Sequence, residues 1–219
     1  LYMIYPYYMY VTSIPQLIIT KEVINDAAHA VMVDSGEKSN RYYVYAQGIL
    51  QSSYNTPRDA VLEAYETGGR AIDSYGRCIW KISGLLEYAG VADEMIETTC
   101  ETPEDSLLEC VKMILRYEGV ELPEEYDLSG NVDDIIERYA GKPGINLVGC
   151  DVDNALYYLC EGAPVITKID ADRYVLIISY NESTIRYYDP VAGAEKRLER
   201  YVIEELFAQQ GNQFYTYLH

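Results

Sequence analysis

Residues 161–190 read EGAPVITKIDADRYVLIISYNESTIRYYDP, and this stretch decides the fold class. Ala163 to Ile169, Tyr174 to Tyr180 and Thr184 to Tyr188 are rich in Val, Ile, Thr and Tyr, the residues that suit a pleated, half-buried surface. Asn181-Glu182-Ser183 supplies a turn, and Asp189-Pro190 ends the third strand because proline cannot donate to a ladder. Upstream the apolar period is helical. Leu108, Val111, Ile114 and Leu115 form one stripe within Leu107 to Tyr117, and Gly119 stops it. Val132 to Tyr139 and Val152 to Cys160 read as two further helices behind Asn131 and Asp151 caps. Downstream, a last helix near Leu198 to Gln209 precedes a closing strand, Gln213 to Leu218. Helices followed by an antiparallel sheet make an α+β arrangement, with a cleft between the two halves as the natural place for a site.

A smaller unit precedes this one. Arg41 to Ala46 and Ile49 to Tyr54 are β-prone runs parted by Gly48, and Thr56-Pro57 opens a helix as N-cap and first helical residue. That helix carries Ala60, Val61, Ala64 and Tyr65 on one face and ends at Gly68-Gly69. Ala71 to Asp73 and Cys78 to Ile82 pair as a hairpin across Ser74 to Arg77. The expected organisation is therefore a Tyr-rich segment over 1–40, a small ββαββ module with its connector over 41–97, and the main α+β domain over 98–219. Residues 1–20 read as extended, 21–33 as either helix or strand, and Asp34 to Asn40 as a loop.

Composition narrows the function. The 219 residues hold 17 Lys+Arg against 35 Asp+Glu, a net charge of −18, with no basic run. A chain of that sign repels phosphate backbones, so neither a nucleic acid nor an anionic membrane surface is expected as partner. No uncharged apolar run approaches the roughly 20 residues of a spanning helix, so no membrane insertion is expected. Five cysteines, Cys78, Cys100, Cys110, Cys150 and Cys160, cannot all pair, and none stands in a C-x-x-C spacing, so neither a zinc site nor any other metal or cofactor is expected. Asp151-Val152-Asp153-Asn154 lacks the glycine and distal glutamate of a calcium loop and reads as a helix cap. Glu101, Glu104 and Asp105 read as complements to a helix dipole, and Glu121 to Asp127 as a solvated acidic loop. Only His29 and His219 are available as the commonest general base. The 24 tyrosines suit half-buried strands and rims. The opening Leu1 points to a piece of a longer protein, and an extracytoplasmic position is the expectation.

Three segments in order, SLLECVKMILRYEG (106–119), EGAPVI with DRYVLIISY (161–166, 172–180) and IRYYDP (185–190), resemble the C39-like peptidase domain of the papain-like superfamily. The resemblance covers Thr98 to Leu218. In that family a nucleophilic cysteine opens the first helix, with an upstream glutamine lining the oxyanion hole. A histidine opens the first of two paired strands, and an aspartate before proline closes the next. The physics is a thiol pushed toward thiolate by the helix dipole and an adjacent imidazolium. Counting back from Met113, Leu115, Arg116, Tyr117 and Gly119 places the nucleophile position on Ser106. The histidine position falls on Arg173, which stays protonated and accepts no proton. Thr98, Thr99 and Cys100 stand upstream with no glutamine, and only Asp189 keeps the family residue.

Ser106, Arg173 and Asp189 are thus vestigial triad positions, and an Arg173–Asp189 ion pair across neighbouring strands is the structural contact expected of them. The resemblance implies a non-catalytic, bacterial C39-like domain whose old cleft holds a peptide or protein partner. Two other readings stand beside it: a working cysteine peptidase with Cys100 or Cys110 as nucleophile, and a structural spacer.

Overall fold

The computed structural model describes residues 41–82, 86–91 and 97–219. The readings made for residues 1–40, and His29 with them, lie outside that range. The chain forms two antiparallel sheets with helices packed on them, an α+β architecture.

The small sheet contains β1 (Tyr42–Ala46), β2 (Ile49–Tyr54), β3 (Arg70–Asp73) and β4 (Cys78–Lys81), in the order β2-β1-β3-β4. Helix α1 (Pro57–Thr67) lies on it. The local chemistry explains the helix limits. Thr56 Oγ1 accepts the Asp59 N–H at 3.2 Å, satisfying one orphan donor. At the other end Gly68 takes φ of 64°, the left-handed conformation that closes a helix with least strain. Ala60, Val61 and Ala64 are the buried face.

The large sheet runs β10-β9-β8-β7-β11-β6, with β5 (Ala89–Gly90) paired to β8 beside that path. Its members are β6 (Gly144–Asn146), β7 (Val165–Asp170), β8 (Arg173–Tyr180), β9 (Thr184–Asp189), β10 (Ala194–Glu199) and β11 (Phe214–Tyr217). Around it stand α2 (Ser106–Tyr117), α3 (Val132–Ala140), α4 (Val152–Cys160) and α5 (Arg200–Gln209). Asn181 builds the β8–β9 turn, its Oδ1 accepting the backbone N–H groups of Ser183 at 3.0 Å and Thr184 at 2.8 Å. One apolar cluster runs through both sheets: Trp80 of β4 packs edge-on against Tyr65 at 5.9 Å and against Tyr157 of α4 at 5.9 Å.

Two elements depart from the sequence reading. The last helix begins at Arg200, not near Leu198, because Ala194–Glu199 pairs along the whole of β9 as an edge strand. Its Glu-Lys-Arg content is the composition that protects an edge, and it masks the strand from a reading based on apolar residues. Strand β6 is three residues long, Gly144–Asn146, and falls between α3 and α4. The closing strand β11 lies inside the sheet between β7 and β6, which is why Phe214 to Tyr217 are all buried. Among the described residues no helix is long and apolar enough to cross a membrane.

Candidate functional site

The start of α2, the start of β8 and the end of β9 meet at the open end of the β8–β9 hairpin. A single 3-10 turn, Pro103–Asp105, feeds α2 and places Ser106 at its first position. Ser106 is 0% exposed. Its Oγ accepts the Tyr174 N–H at 2.8 Å and donates to the Pro103 carbonyl. A hydroxyl carries one proton, and here that proton is directed into the backbone, not toward a cleft.

Arg173 and Asp189 do pair. Arg173 Nε donates to Asp189 Oδ1 at 3.1 Å, and its Nη2 donates to Oδ2, so the guanidinium grips the carboxylate with two bonds. Lys196 of β10 donates to the same Oδ2 at 2.7 Å, and the Ala192 N–H donates to Oδ1 at 3.2 Å. Burial of Asp189 pushes its pKa up, but the bonds from Lys196, Arg173 and Ala192 outweigh burial and hold the carboxyl below its ordinary value. The result is a carboxylate that is 0% exposed, ionised and fully engaged. Because Tyr174 follows Arg173, Ser106, Arg173 and Asp189 are joined through adjacent bonds: Ser106 to the Tyr174 backbone, Arg173 to Asp189.

Two cysteines, Cys100 and Cys110, lie near this point, and their surroundings raise both thiol pKa values. The Cys100 N–H donates to the Pro190 carbonyl at 3.1 Å, which brings its segment alongside the end of β9. Its thiol pKa is raised by burial first, then by the carboxylates of Glu109, Asp105 and Asp189, with Arg173 opposing. Cys110 is wholly buried, and burial raises its thiol well above the ordinary value. A cysteine attacks as thiolate, and both surroundings favour the thiol. His219 stands at the far end of α2. Its ring lies 6.5 Å from those of Tyr117 and Tyr217, and its Nε2 is 3.6 Å from Glu118. Ser106 and Tyr117 bound a 12-residue helix, which at 1.5 Å per residue separates them by about 16 Å. His219 is therefore out of reach of Ser106.

Elsewhere, the Asn154 Oδ1 accepts the Asp151 N–H at 3.1 Å and Arg200 pairs with Asp153, so the Asp151 to Asn154 run begins α4. No group of three His, Cys, Asp or Glu side chains among the described residues is placed to hold a metal ion. Two participants in the site escaped the sequence reading. Lys196 sits on the unrecognised strand β10, and a strictly charged run beside a Val-Ala-Gly turn was the signal that could have found it. The Tyr174 N–H is a backbone group, for which side-chain identity carries no signal.

No protein-family model matches this chain, and no curated protein matches it. Among solved structures, a protein from Bacillus anthracis described as a C39-like peptidase aligns with a TM-score of 0.48 and 15% identity, over 61% of this chain and 98% of that one.

Proposed function

We propose that the chain is a non-catalytic C39-like domain, in which the positions of a cysteine-peptidase triad have become a structural tie, and that it holds a peptide or protein partner within a larger bacterial protein. The order of the three sequence segments supports the family. The observation that carries the loss of catalysis is Ser106, whose hydroxyl is buried and saturated by backbone groups. Acyl transfer needs a nucleophile within reach of a base that can take its proton. Here the neighbouring residue is a guanidinium committed to Asp189, and among the described residues the single histidine is at the opposite end of the helix. A peptide in the old cleft rests on the resemblance, and would be recognised by pockets for alternate side chains.

The spacer reading draws on the same closed network, because a tie between α2, β8, β9 and β10 needs no ligand. Incubating the purified chain with a fluorogenic peptide library, a fluorophosphonate probe for an activated serine and an epoxysuccinyl probe for an activated cysteine tests the first half: no turnover and no labelling are expected. Cleavage abolished by one substitution within residues 98–219 would overturn it. Saturable binding of a library peptide favours the partner reading, and absence of any such peptide favours the spacer.

A further inference from the structure

A cavity of about 580 Å³, lined by none of Ser106, Arg173 and Asp189, lies where the β3–β4 turn faces the corner between α3 and β6. Its polar lining is Arg41, Tyr42, Asp73, Tyr75, Arg77 and Glu137. A second cavity of about 240 Å³ lies on the other side of Arg77, which borders both. Tyr158 lines this second chamber; it is 1% exposed, and its buried hydroxyl has no hydrogen-bond partner among the described residues. A buried, unpartnered hydroxyl is costly unless a guest or water satisfies it.

Both walls are rigid. Asp73, 5% exposed, accepts the backbone N–H groups of Tyr75 at 2.9 Å and Arg77 at 2.8 Å, and the Arg77 Nε at 2.7 Å. That fixes the turn, and the Arg77 guanidinium lies over the Tyr75 ring, 5.2 Å from its centroid. On the opposite wall a Cβ added at Gly144 would lie 2.2 Å from the Asp133 carbonyl oxygen, so α3 and β6 approach as closely as backbone permits. A groove with fixed walls loses little entropy on binding.

The chemistry of the lining selects the guest. Two guanidinium groups stand with two carboxylates, so the wide chamber has no net charge and favours neither an anion nor a cation. Donors and acceptors are interleaved, which matches hydroxyl groups, each of which both donates and accepts. Tyr75, 60% exposed, presents an apolar ring beside them. Strand addition by a peptide is not offered. The Gly144 N–H donates to Glu137 Oε2 at 3.2 Å, the Trp80 carbonyl accepts the Cys78 thiol at 3.5 Å, and Ile79 and Trp80 are buried.

We infer that this groove between the ββαββ module and the α3–β6 corner binds a neutral, polyhydroxylated chain, a short oligosaccharide. The test is calorimetric titration of the purified chain with cellotetraose, chitotetraose and maltotetraose. At least one binds saturably, in the millimolar range or tighter. Tyr75→Ala and Arg41→Ala, both at exposed positions that leave the fold intact by circular dichroism, weaken that binding about tenfold or more. Tyr201→Ala, at an exposed tyrosine on α5 far from the groove, leaves it unchanged. The inference fails if none of the three sugars produces saturable heat. It also fails if Tyr75→Ala and Arg41→Ala bind as the unaltered chain does, or if a neutral tetrapeptide shows the Tyr75 and Arg41 dependence and the sugars do not. None of these outcomes bears on whether Ser106 is catalytic, so the two readings stand or fall separately.

Discussion

Two Asp–Arg pairs, Asp189–Arg173 and Asp73–Arg77, occupy opposite roles in one molecule. Asp189 is wholly buried and takes bonds from Arg173, Lys196 and the Ala192 N–H, so it ties three neighbouring strands or their turns. Asp73 pairs four residues along its own hairpin, and its partner Arg77 remains 48% exposed on the side chain, facing open space. The difference is in what surrounds the pair. Where long-range elements converge, the Asp189 carboxylate and the Ser106 hydroxyl are taken up in bonds within the fold. Where the pair is local, the turn holds itself, and the guanidinium stays half exposed at the cavity wall.

That contrast can be broken most directly at Arg173. Arg173→Ala strips two bonds from a buried carboxylate and is expected to cost about 2–3 kcal/mol of stability, the remaining Lys196 moderating the usual penalty for an unpaired buried charge. A loss below about 0.5 kcal/mol in urea unfolding would show that the tie carries little. Acid sharpens the same point. The folded pKa of Asp189 lies below its unfolded value, so its contribution is fully present above about pH 4 and is lost as pH falls through the folded pKa. The stability gap between the unaltered chain and Asp189→Asn should therefore be constant near neutrality and close below about pH 4. A gap that persists at lower pH would mean that the carboxylate's charge is irrelevant.

A smaller effect is expected at Ser106. Ser106→Ala leaves the Tyr174 N–H without its acceptor and should cost about 1–2 kcal/mol. A wild-type melting curve would mean that the hydroxyl is free for other work. The smallest change belongs to the other pair. Arg77→Ala should cost about 0.5–1 kcal/mol, because the guanidinium is half exposed and Asp73 retains two backbone N–H bonds. A loss as large as that at Arg173 would erase the distinction between the two sites.

Much of this was legible from residues alone, wherever the pattern is local. Thr56, Pro57 and Gly68 state the limits of α1 without reference to the rest of the molecule, and the runs of Val, Ile and Tyr on either side of Asn181 state the β8–β9 hairpin. Strands β6 and β10 were not legible. One is three residues opened by glycine, and the other is Ala-Glu-Lys-Arg-Leu-Glu, whose exposed edge tolerates the residues of a helix. The groove was invisible for a different reason. Arg77 and Glu137 come from separate units, and nothing in either neighbourhood announces the other.

Sequence by itself determined the α+β class and the ββαββ module, since each depends on residue identity and short spacing. Only the tertiary structure decided what Ser106, Arg173 and Asp189 touch. The Ser106 hydroxyl meets the Tyr174 N–H 68 residues away, and Asp189 gains Lys196 because an edge strand folds back beside it. Such bonds are set by where packing brings distant backbone and side chains, and no local propensity encodes them.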